Sequence, residues 1–256
     1  MSINASEPQI IRPKIVLPSS AQLFGDSWRL LLAYRQKIFG AALVISAPLV
    51  ISQVVLDTYN ASADLQLSTA ALAIVTVFFG VSLVLLIIQN VVMTLMVKDI
   101  DQAVTITQTF GQALRLFWSS LLLVIMLSVT VTLGLLLFII PGIILAMQFS
   151  FAFCVLVFEQ HRGWGALKRS RQLVRGATGK VFWRYLMLGI AIMLLWILVN
   201  LPLSIFAEAG LMSTQVLLYL GTVVGILLNA FVLAITALYT VLLYRALRSQ
   251  NEANAV

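Results

Sequence analysis

Long apolar stretches alternate with short polar or basic ones along the whole chain. A helix needs about 20 predominantly apolar residues to cross a hydrocarbon core. Six stretches come close to or exceed that length, at 38–56, 67–97, 119–140, 143–158, 185–206 and 214–244. The pattern therefore predicts an all-α polytopic membrane protein with six transmembrane helices in three hairpins.

The apolar run from 117 to 158 contains the clearest predicted turn. As one helix it would be about 63 Å long, roughly twice the thickness of a membrane core. It must therefore fold back on itself. Pro141 lacks a backbone donor and Gly142 permits a tight turn, so these two residues are the predicted hinge.

A polar or basic amphipathic segment precedes each predicted hairpin. Ser19 or Ser20 can cap the first, a helix over 21–37; the second surrounds 105–117. The third covers 163–176, with Gly176 as its predicted C′ residue. All three contain an aromatic-Gly-x-x-x-Arg pattern: Phe24-Gly25 with Arg29, Phe110-Gly111 with Arg115, and Trp164-Gly165 with Arg169. We interpret the pattern as a threefold repeat; chance similarity among interfacial residues is the alternative.

Composition agrees with one membrane domain. The chain is 61% hydrophobic and 10% charged, whereas soluble domains carry about 25% charged residues. It has no polar block long enough for a separate soluble domain. We expect a polar tail at 1–18, a single six-helix membrane domain at 19–248, and a polar tail at 249–256.

The positions of the charges predict the orientation. All 16 lysines and arginines lie before span one, after span six, or in the connections between spans two and three and between four and five. The other three connections carry only the acidic residues Asp57, Asp64 and Glu208. The positive-inside rule then places both termini in the cytoplasm. Residues 1–18 lack the apolar centre of a signal peptide, so we expect span one to stay uncleaved.

The segment IIPGIILAMQFSFAFCVLVFE and the later GALKRSRQLVRG resemble the bacterial YciC-like family of membrane proteins. That family is related to the membrane domain attached to some glycerophosphoryl diester phosphodiesterases. The matching positions are Pro141, Gly142, Ile143, Glu159, Ala166, Leu167, Ser170, Leu173 and Gly176. The resemblance implies a bacterial inner-membrane protein without established chemistry. The phosphodiesterase catalytic domain has no counterpart in this sequence.

The basic helix at 163–176 offers a candidate lipid-binding surface. A helical wheel places Lys168, Arg169, Gln172 and Arg175 on one side, with Arg171 at the border. The other side is formed by Trp164, Ala166, Leu167, Leu173 and Val174. Adding the repeat-related arginines, we expect the following residues to contact anionic headgroups: Arg29, Arg115, Lys168, Arg169 and Arg175. Topology determination with general interface anchoring is the alternative.

Amides and glycines within the spans have structural and functional interpretations. Asn90, Asn200 and Asn229 could line a polar pathway, but interhelical hydrogen bonds are the commoner role of such residues. Gly221 and Gly225 share one face of span six and form a close-packing motif. We expect an internal helix contact there, with a homo-oligomer contact as the alternative.

Little in the sequence points to catalysis. Glu159 and His161 could shuttle a proton, but an ion pair of Glu159 with Arg162 or a later arginine is the favoured interpretation. Cys154, the one cysteine, is expected to pack as a small buried side chain. No catalytic set, metal site or cofactor site is predicted.

The sequence therefore favours a noncatalytic integral membrane protein of envelope or membrane maintenance. Its partners would be membrane lipids with anionic headgroups. No nucleic acid is expected, since its binding would need a folded basic platform with exposed aromatics. The alternative function is a transporter or channel for a small or lipophilic solute, with a cavity lined by the three asparagines. An enzyme acting on lipid is the least supported hypothesis, since no acid–base set is present.

Overall fold

All regular structure in the described part of the chain is α-helical. The computed structural model describes residues 17–44, 46, 69–100, 106–210 and 213–253. Its helices are α1 (Ser20–Ala33), α2 (35–44), α3 (Thr69–Lys98), α4 (Ile106–Leu137), α5 (Ile139–Phe149), α6 (Ala152–Phe158), α7 (Trp164–Val174), α8 (Thr178–Glu208) and α9 (Thr214–Ala253).

Within these residues, five segments are long and apolar enough to cross a membrane. They are Gly80–Lys98, Thr107–Leu137, Ile139–Phe158, Thr178–Glu208 and Tyr219–Ala253. The prediction of a polytopic all-α membrane protein is thereby confirmed. Most of the predicted first span, 38–56, lies outside the described residues, so the sixth transmembrane helix stays a prediction.

The α4–α5 hairpin reverses at Phe138, slightly before the predicted hinge. Phe138 has extended backbone angles of φ −158° and ψ 138°. Pro141 instead lies in the first turn of α5. Backbone N–H groups in the first turn of a helix have no intrahelical acceptor, so a proline, which has no N–H, is tolerated there. Gly142 lies where α5 crosses α4: a Cβ there would come within 2.7 Å of the Leu135 backbone nitrogen. The hinge prediction was wrong because this glycine serves close packing rather than the turn.

Three helix boundaries also differ from the prediction. The second amphipathic segment is not a separate helix, because α4 runs without a break from Ile106 to Leu137. The fourth span is interrupted between α5 and α6, where the Ser150 hydroxyl donates to the Met147 carbonyl at 2.9 Å. Helix α9 begins at Thr214 as predicted but continues to Ala253, so part of the expected polar tail is helical.

The packed core lies at one end of the bundle, which we call the basic end because Lys98, Lys180, Arg184, Arg245 and Arg248 are found there. Among the residues whose burial is described, those buried in α3 lie within 87–97 and those buried in α9 within 228–247, while α6 is buried along most of its length. In α8 only Val181 and Leu188 are buried. The opposite half exposes apolar side chains, as in 135–140. A bilayer would cover such a surface.

The N-terminal helix is attached to this core by polar contacts. Ser19 caps α1 as predicted, with its Oγ 3.2 Å from the backbone nitrogen of Gln22. The Arg184 guanidinium donates to the carbonyls of Leu17 and Pro18 at 2.7–3.0 Å. The Tyr239 hydroxyl in turn donates to the Arg184 carbonyl at 3.1 Å. These bonds join the segment before α1 to both α8 and α9.

Replacing Gly142 with alanine should weaken the hairpin. The new Cβ would overlap the backbone of α4, so we expect a loss of about 1–3 kcal/mol and a lower unfolding midpoint in detergent. Gly189→Ala is the matched control, because a Cβ there meets nothing within 4 Å. That variant should keep the midpoint or gain up to about 1 kcal/mol. Equal midpoints for the two variants would contradict the close contact.

Candidate functional site

Helix α7 is held in the structure by one face. Its buried residues are Ala166, Leu167, Ser170, Leu173 and Val174, and they pack against α4, α5, α6 and α9. The helix ends as predicted: Arg175 is the C-cap, and Gly176 takes the left-handed φ of 83° that favours glycine at C′. The amphipathic pattern of the basic segment thus predicts its buried face except for Trp164, which is exposed, and Ser170, which is buried.

Glu159 is the centre of the polar contacts around α7. Its Oε2 accepts from Arg169 Nε at 2.8 Å and its Oε1 accepts from the Tyr244 hydroxyl at 2.8 Å. The side chain is only 12% exposed. The single carboxylate therefore connects the end of α6 with both α7 and α9. The predicted ion pair with a later arginine is confirmed, and Arg169 is the partner.

The charged state of Glu159 is favoured by these bonds. Burial by itself would raise the pKa of this carboxyl, but hydrogen bonds from Arg169 and Tyr244 outweigh burial and leave the pKa lowered. His161 contributes no hydrogen bond, since its Nε2 is 3.8 Å from Oε2. In this geometry the two side chains do not form the acid–imidazole pair that proton shuttling requires.

Three helix C-termini near Glu159 are capped by side chains from other helices. Ser170 donates to the Gln148 carbonyl of α5 at 2.7 Å, and Asn251 donates to the Leu173 carbonyl of α7 at 3.0 Å. Lys98 Nζ donates to the Val157 carbonyl of α6, also at 3.0 Å. The last carbonyls of a helix have no intrahelical partner. These bonds connect the end of α5 to α7, the end of α6 to α3 and the end of α7 to α9.

The opposite face of α7 is an exposed stripe of one aromatic and three basic side chains. Trp164, Lys168, Arg171 and Arg175 are spaced by four, three and four residues, so they follow one line along the helix. All four are exposed. The helical wheel had placed Trp164 on the apolar face and Arg171 at a border. The packing of α7 turns both outward.

The basic residues predicted to contact headgroups are not equivalent. Arg29, Arg115, Lys168 and Arg175 are exposed. Arg169 is half-buried and bound to Glu159, so its guanidinium is already engaged in a structural ion pair. Arg171 was not among the predicted headgroup contacts, but it is exposed and Arg169 is not. Only the burial pattern of α7 distinguishes these two neighbouring arginines.

Exposed tryptophans lie at the basic ends of three helices. Trp118, Trp164 and Trp183 expose 75%, 60% and 57% of their surface. Gly163, just before Trp164, lies beside Leu122, about one turn after Trp118 in α4. Tryptophan is enriched at membrane–water interfaces because its ring is apolar and its N–H is polar. This preference predicts an interfacial position for the start of α7.

The three asparagines do not come together. Asn90 and Asn200 each donate to a carbonyl of their own helix, those of Leu86 at 2.8 Å and Trp196 at 2.9 Å. The expected interhelical bonds are thus replaced by the local bonds that a short amide side chain can make to the preceding turn. Asn229 is exposed.

The predicted internal packing of the glycine motif is also not observed at Gly221. A Cβ on that residue would meet nothing within 4 Å among the described residues. Gly225 is half-buried. Cys154 is buried, as predicted. The described residues contain no group of three side chains suited to holding a metal ion.

Some residues of this site gave no signal in the sequence. Tyr244 and Asn251 lie in the last helix, 85 and 78 residues away in sequence from their partners Glu159 and Leu173. Each occupies an ordinary helical position, and its role depends on α9 passing beside α6 and α7. The one usable signal was that Glu159 is the only acidic residue in a basic region and needs compensating donors.

Comparison with known proteins agrees with a membrane protein. The chain is 33% identical over 144 residues to a UPF0259 membrane protein of Sodalis glossinidius (strain morsitans). The aligned region covers 56% of this chain and 52% of that protein, so the match spans about half the length of the relative. No family model and no solved structure matches the chain. Together with the five apolar helices, this similarity supports a multi-pass bacterial membrane protein.

Replacing Glu159 with glutamine should destabilise the basic end. The variant loses the charge-assisted bond to Arg169 and leaves that guanidinium without its counter-charge, so we expect a loss of about 1–3 kcal/mol at neutral pH. Thermal unfolding in detergent measures the effect. Glu252→Gln is the control, because the Arg248–Glu252 pair is solvent-exposed and should contribute less than about 1 kcal/mol. Similar midpoints for both variants would refute the central role of Glu159.

The contribution of Glu159 should also depend on pH. Because its folded-state pKa is lowered, the stabilisation is complete above the pKa of an unfolded glutamate, about 4.3. It is lost as the pH falls through the folded-state pKa. The difference in unfolding midpoint between the wild type and Glu159→Gln should therefore shrink below about pH 4.3. A difference that stays constant down to pH 3 would count against this account.

Proposed function

We propose that the protein is a noncatalytic component of the bacterial inner membrane that binds anionic lipid headgroups through the exposed face of α7. The observation that carries the proposal is the stripe of Trp164, Lys168, Arg171 and Arg175, combined with the complete attachment of the opposite face to the core. A role in envelope or membrane maintenance follows as the class of function. The YciC-like resemblance fits this class, although it names no activity.

The proposed orientation places α7 and both termini on the cytoplasmic side, with six spans in total. Support comes from the distribution of lysine and arginine in the sequence and from the basic end of the bundle. In bacterial and other membranes, basic residues near an anionic surface contribute about 1 kcal/mol each. Three exposed cations on α7 would then favour an anionic lipid by about 3 kcal/mol, on the order of a hundredfold.

The rigidity of α7 adds to this argument. Its five buried residues and the Asn251 bond at its C-terminus hold the backbone that carries the three cations at a fixed position relative to the spans. A preorganised surface loses little conformational entropy when a headgroup binds. The alternative of a transporter or channel has weaker support. Of the three asparagines, only Asn90 lines the cavity between α3, α8 and α9.

Neutralising the α7 stripe should remove the preference for anionic lipid. We expect Lys168→Gln/Arg171→Gln/Arg175→Gln to lower the ratio of bound phosphatidylglycerol to phosphatidylcholine by at least about tenfold. Native mass spectrometry of the protein, extracted from bilayers with equal amounts of the two lipids, measures this ratio.

Two control variants separate lipid binding from folding. Arg248→Gln removes a cation paired with Glu252 and should leave the lipid ratio unchanged. Arg169→Gln should lower the unfolding midpoint, since it breaks the Glu159 pair, and should also leave the ratio unchanged. An unaltered ratio in the triple variant would refute the proposal.

A further inference from the structure

A cavity lined by both apolar and hydrogen-bonding side chains lies inside the basic end, and α7 contributes no residue to its lining. It has a volume of about 190 Å³ and lies between α3, α8, α9 and the break that separates α5 from α6. A single water needs only about 10–15 Å³ by this measure. Six of the lining side chains carry a hydroxyl or an amide: Asn90, Thr94, Ser150, Tyr185, Thr236 and Thr240.

The described lining of this cavity has no charged side chain. Its remaining residues are apolar and include Met93, Phe153 and Leu233. A phosphate would require cations there, and an ammonium group would require carboxylates, because an unpaired charge is strongly disfavoured away from water. The chemistry of the lining therefore selects an uncharged ligand that has both hydrogen-bonding groups and carbon surface.

The hydrogen bonds already made define which groups remain for a ligand. Thr94 donates to the Asn90 carbonyl at 2.8 Å, and Ser150 donates to the Met147 carbonyl at 2.9 Å. Each hydroxyl oxygen keeps a lone pair that can accept from a ligand. Asn90 uses one amide N–H on Leu86, so its second N–H and its oxygen are still available.

The Tyr185 hydroxyl donates to Thr240 Oγ1 at 3.3 Å, which leaves the Thr240 proton free to be directed into the cavity. Acceptors and donors therefore face the same space. A ligand hydroxyl, which both donates and accepts, matches this arrangement better than a pure acceptor such as an ester carbonyl.

The position of the cavity supports a ligand from the membrane interface. Thr94 is one turn from Lys98, and Tyr185 directly follows Arg184, so the cavity lies just inside the basic end. Ser150 lies at the break in the fourth span. Interrupted helices in membrane proteins commonly line binding sites, because their backbone departs from regular geometry only where protein or a polar cavity surrounds it.

We propose that this cavity binds an uncharged molecule with a free hydroxyl group, either the hydroxyl end of a diacylglycerol-type lipid or a small free polyol. The ligand hydroxyl donates to Thr94 or Ser150 and accepts from Asn90 or Thr240. Its carbon atoms contact the apolar part of the lining. The site contains no residue of α7, so the result of its test does not depend on the proposed headgroup surface.

The test uses the full chain in detergent with two probes, dioleoylglycerol and glycerol. Native mass spectrometry measures bound dioleoylglycerol in the wild type and in Asn90→Leu/Thr240→Val. We expect at least tenfold less in the double variant. Asn200→Leu is the matched control, since Asn200 makes the same bond to its own helix but does not line the cavity. It should bind like the wild type.

A second measurement does not require a variant to fold. Cys154 lines the cavity and is the only cysteine of the chain, so the rate of its modification by methyl methanethiosulfonate reports on this one site. An occupied cavity should slow the reaction at least about threefold, as expected for a site more than two-thirds filled.

The two probes distinguish the sources of the ligand. Binding of dioleoylglycerol together with protection by it supports a lipid, whereas protection by glycerol alone supports a free polyol. The proposal is overturned if neither probe protects Cys154, whether or not dioleoylglycerol binds elsewhere on the protein. It is also overturned if Asn200→Leu loses as much binding as the cavity variant.

Discussion

The arrangement of the basic end depends on one carboxylate. Glu159 accepts hydrogen bonds from Arg169 and from Tyr244, and these partners belong to α7 and α9. Carboxylate bonds of this kind are stronger than neutral ones, because the acceptor carries a full charge and is partly shielded from water. Since α6 and α7 are short, their own backbone bonds could not hold them in place. The Glu159 contacts connect them to α9, the longest of the described helices.

The same region concentrates the other polar contacts between helices. Ser170, Asn251 and Lys98 each satisfy a carbonyl at the end of a helix that they do not belong to. In the opposite half of the bundle, apolar side chains are exposed and lipid is the expected surrounding. There the hydrophobic effect does not drive helices together, because lipid tails are as apolar as leucine. Directional contacts at the basic end, together with the apolar core packed there, therefore determine how the helices are arranged.

Because the structural contacts and the exposed cations lie on different faces of α7, a surface for anionic lipid is compatible with a stable fold. The cation that stabilises the core, Arg169, is half-buried and paired, whereas Lys168, Arg171 and Arg175 point away from it. Neutralising the exposed cations leaves the Glu159 contacts intact. The cavity lined by Asn90 and Thr240 lies in the same packed end. None of its described lining residues is charged. Charged and uncharged hydrogen-bonding groups are thus kept apart within one compact region.

The sequence by itself determined the membrane class, the positions of most helices, a serine cap at residue 19 or 20, the Gly176 terminus and most of the buried face of α7. These features depend on hydrophobic periodicity and on local backbone chemistry, which act over a few residues. Only the tertiary structure decided that Phe138 rather than Pro141-Gly142 makes the turn, and that Arg169 rather than Arg171 is paired. It also decided that Asn90 and Thr240 line one cavity, to which Asn200 contributes nothing. Each of these outcomes depends on which helices approach each other, and that depends on contacts between residues far apart in the chain.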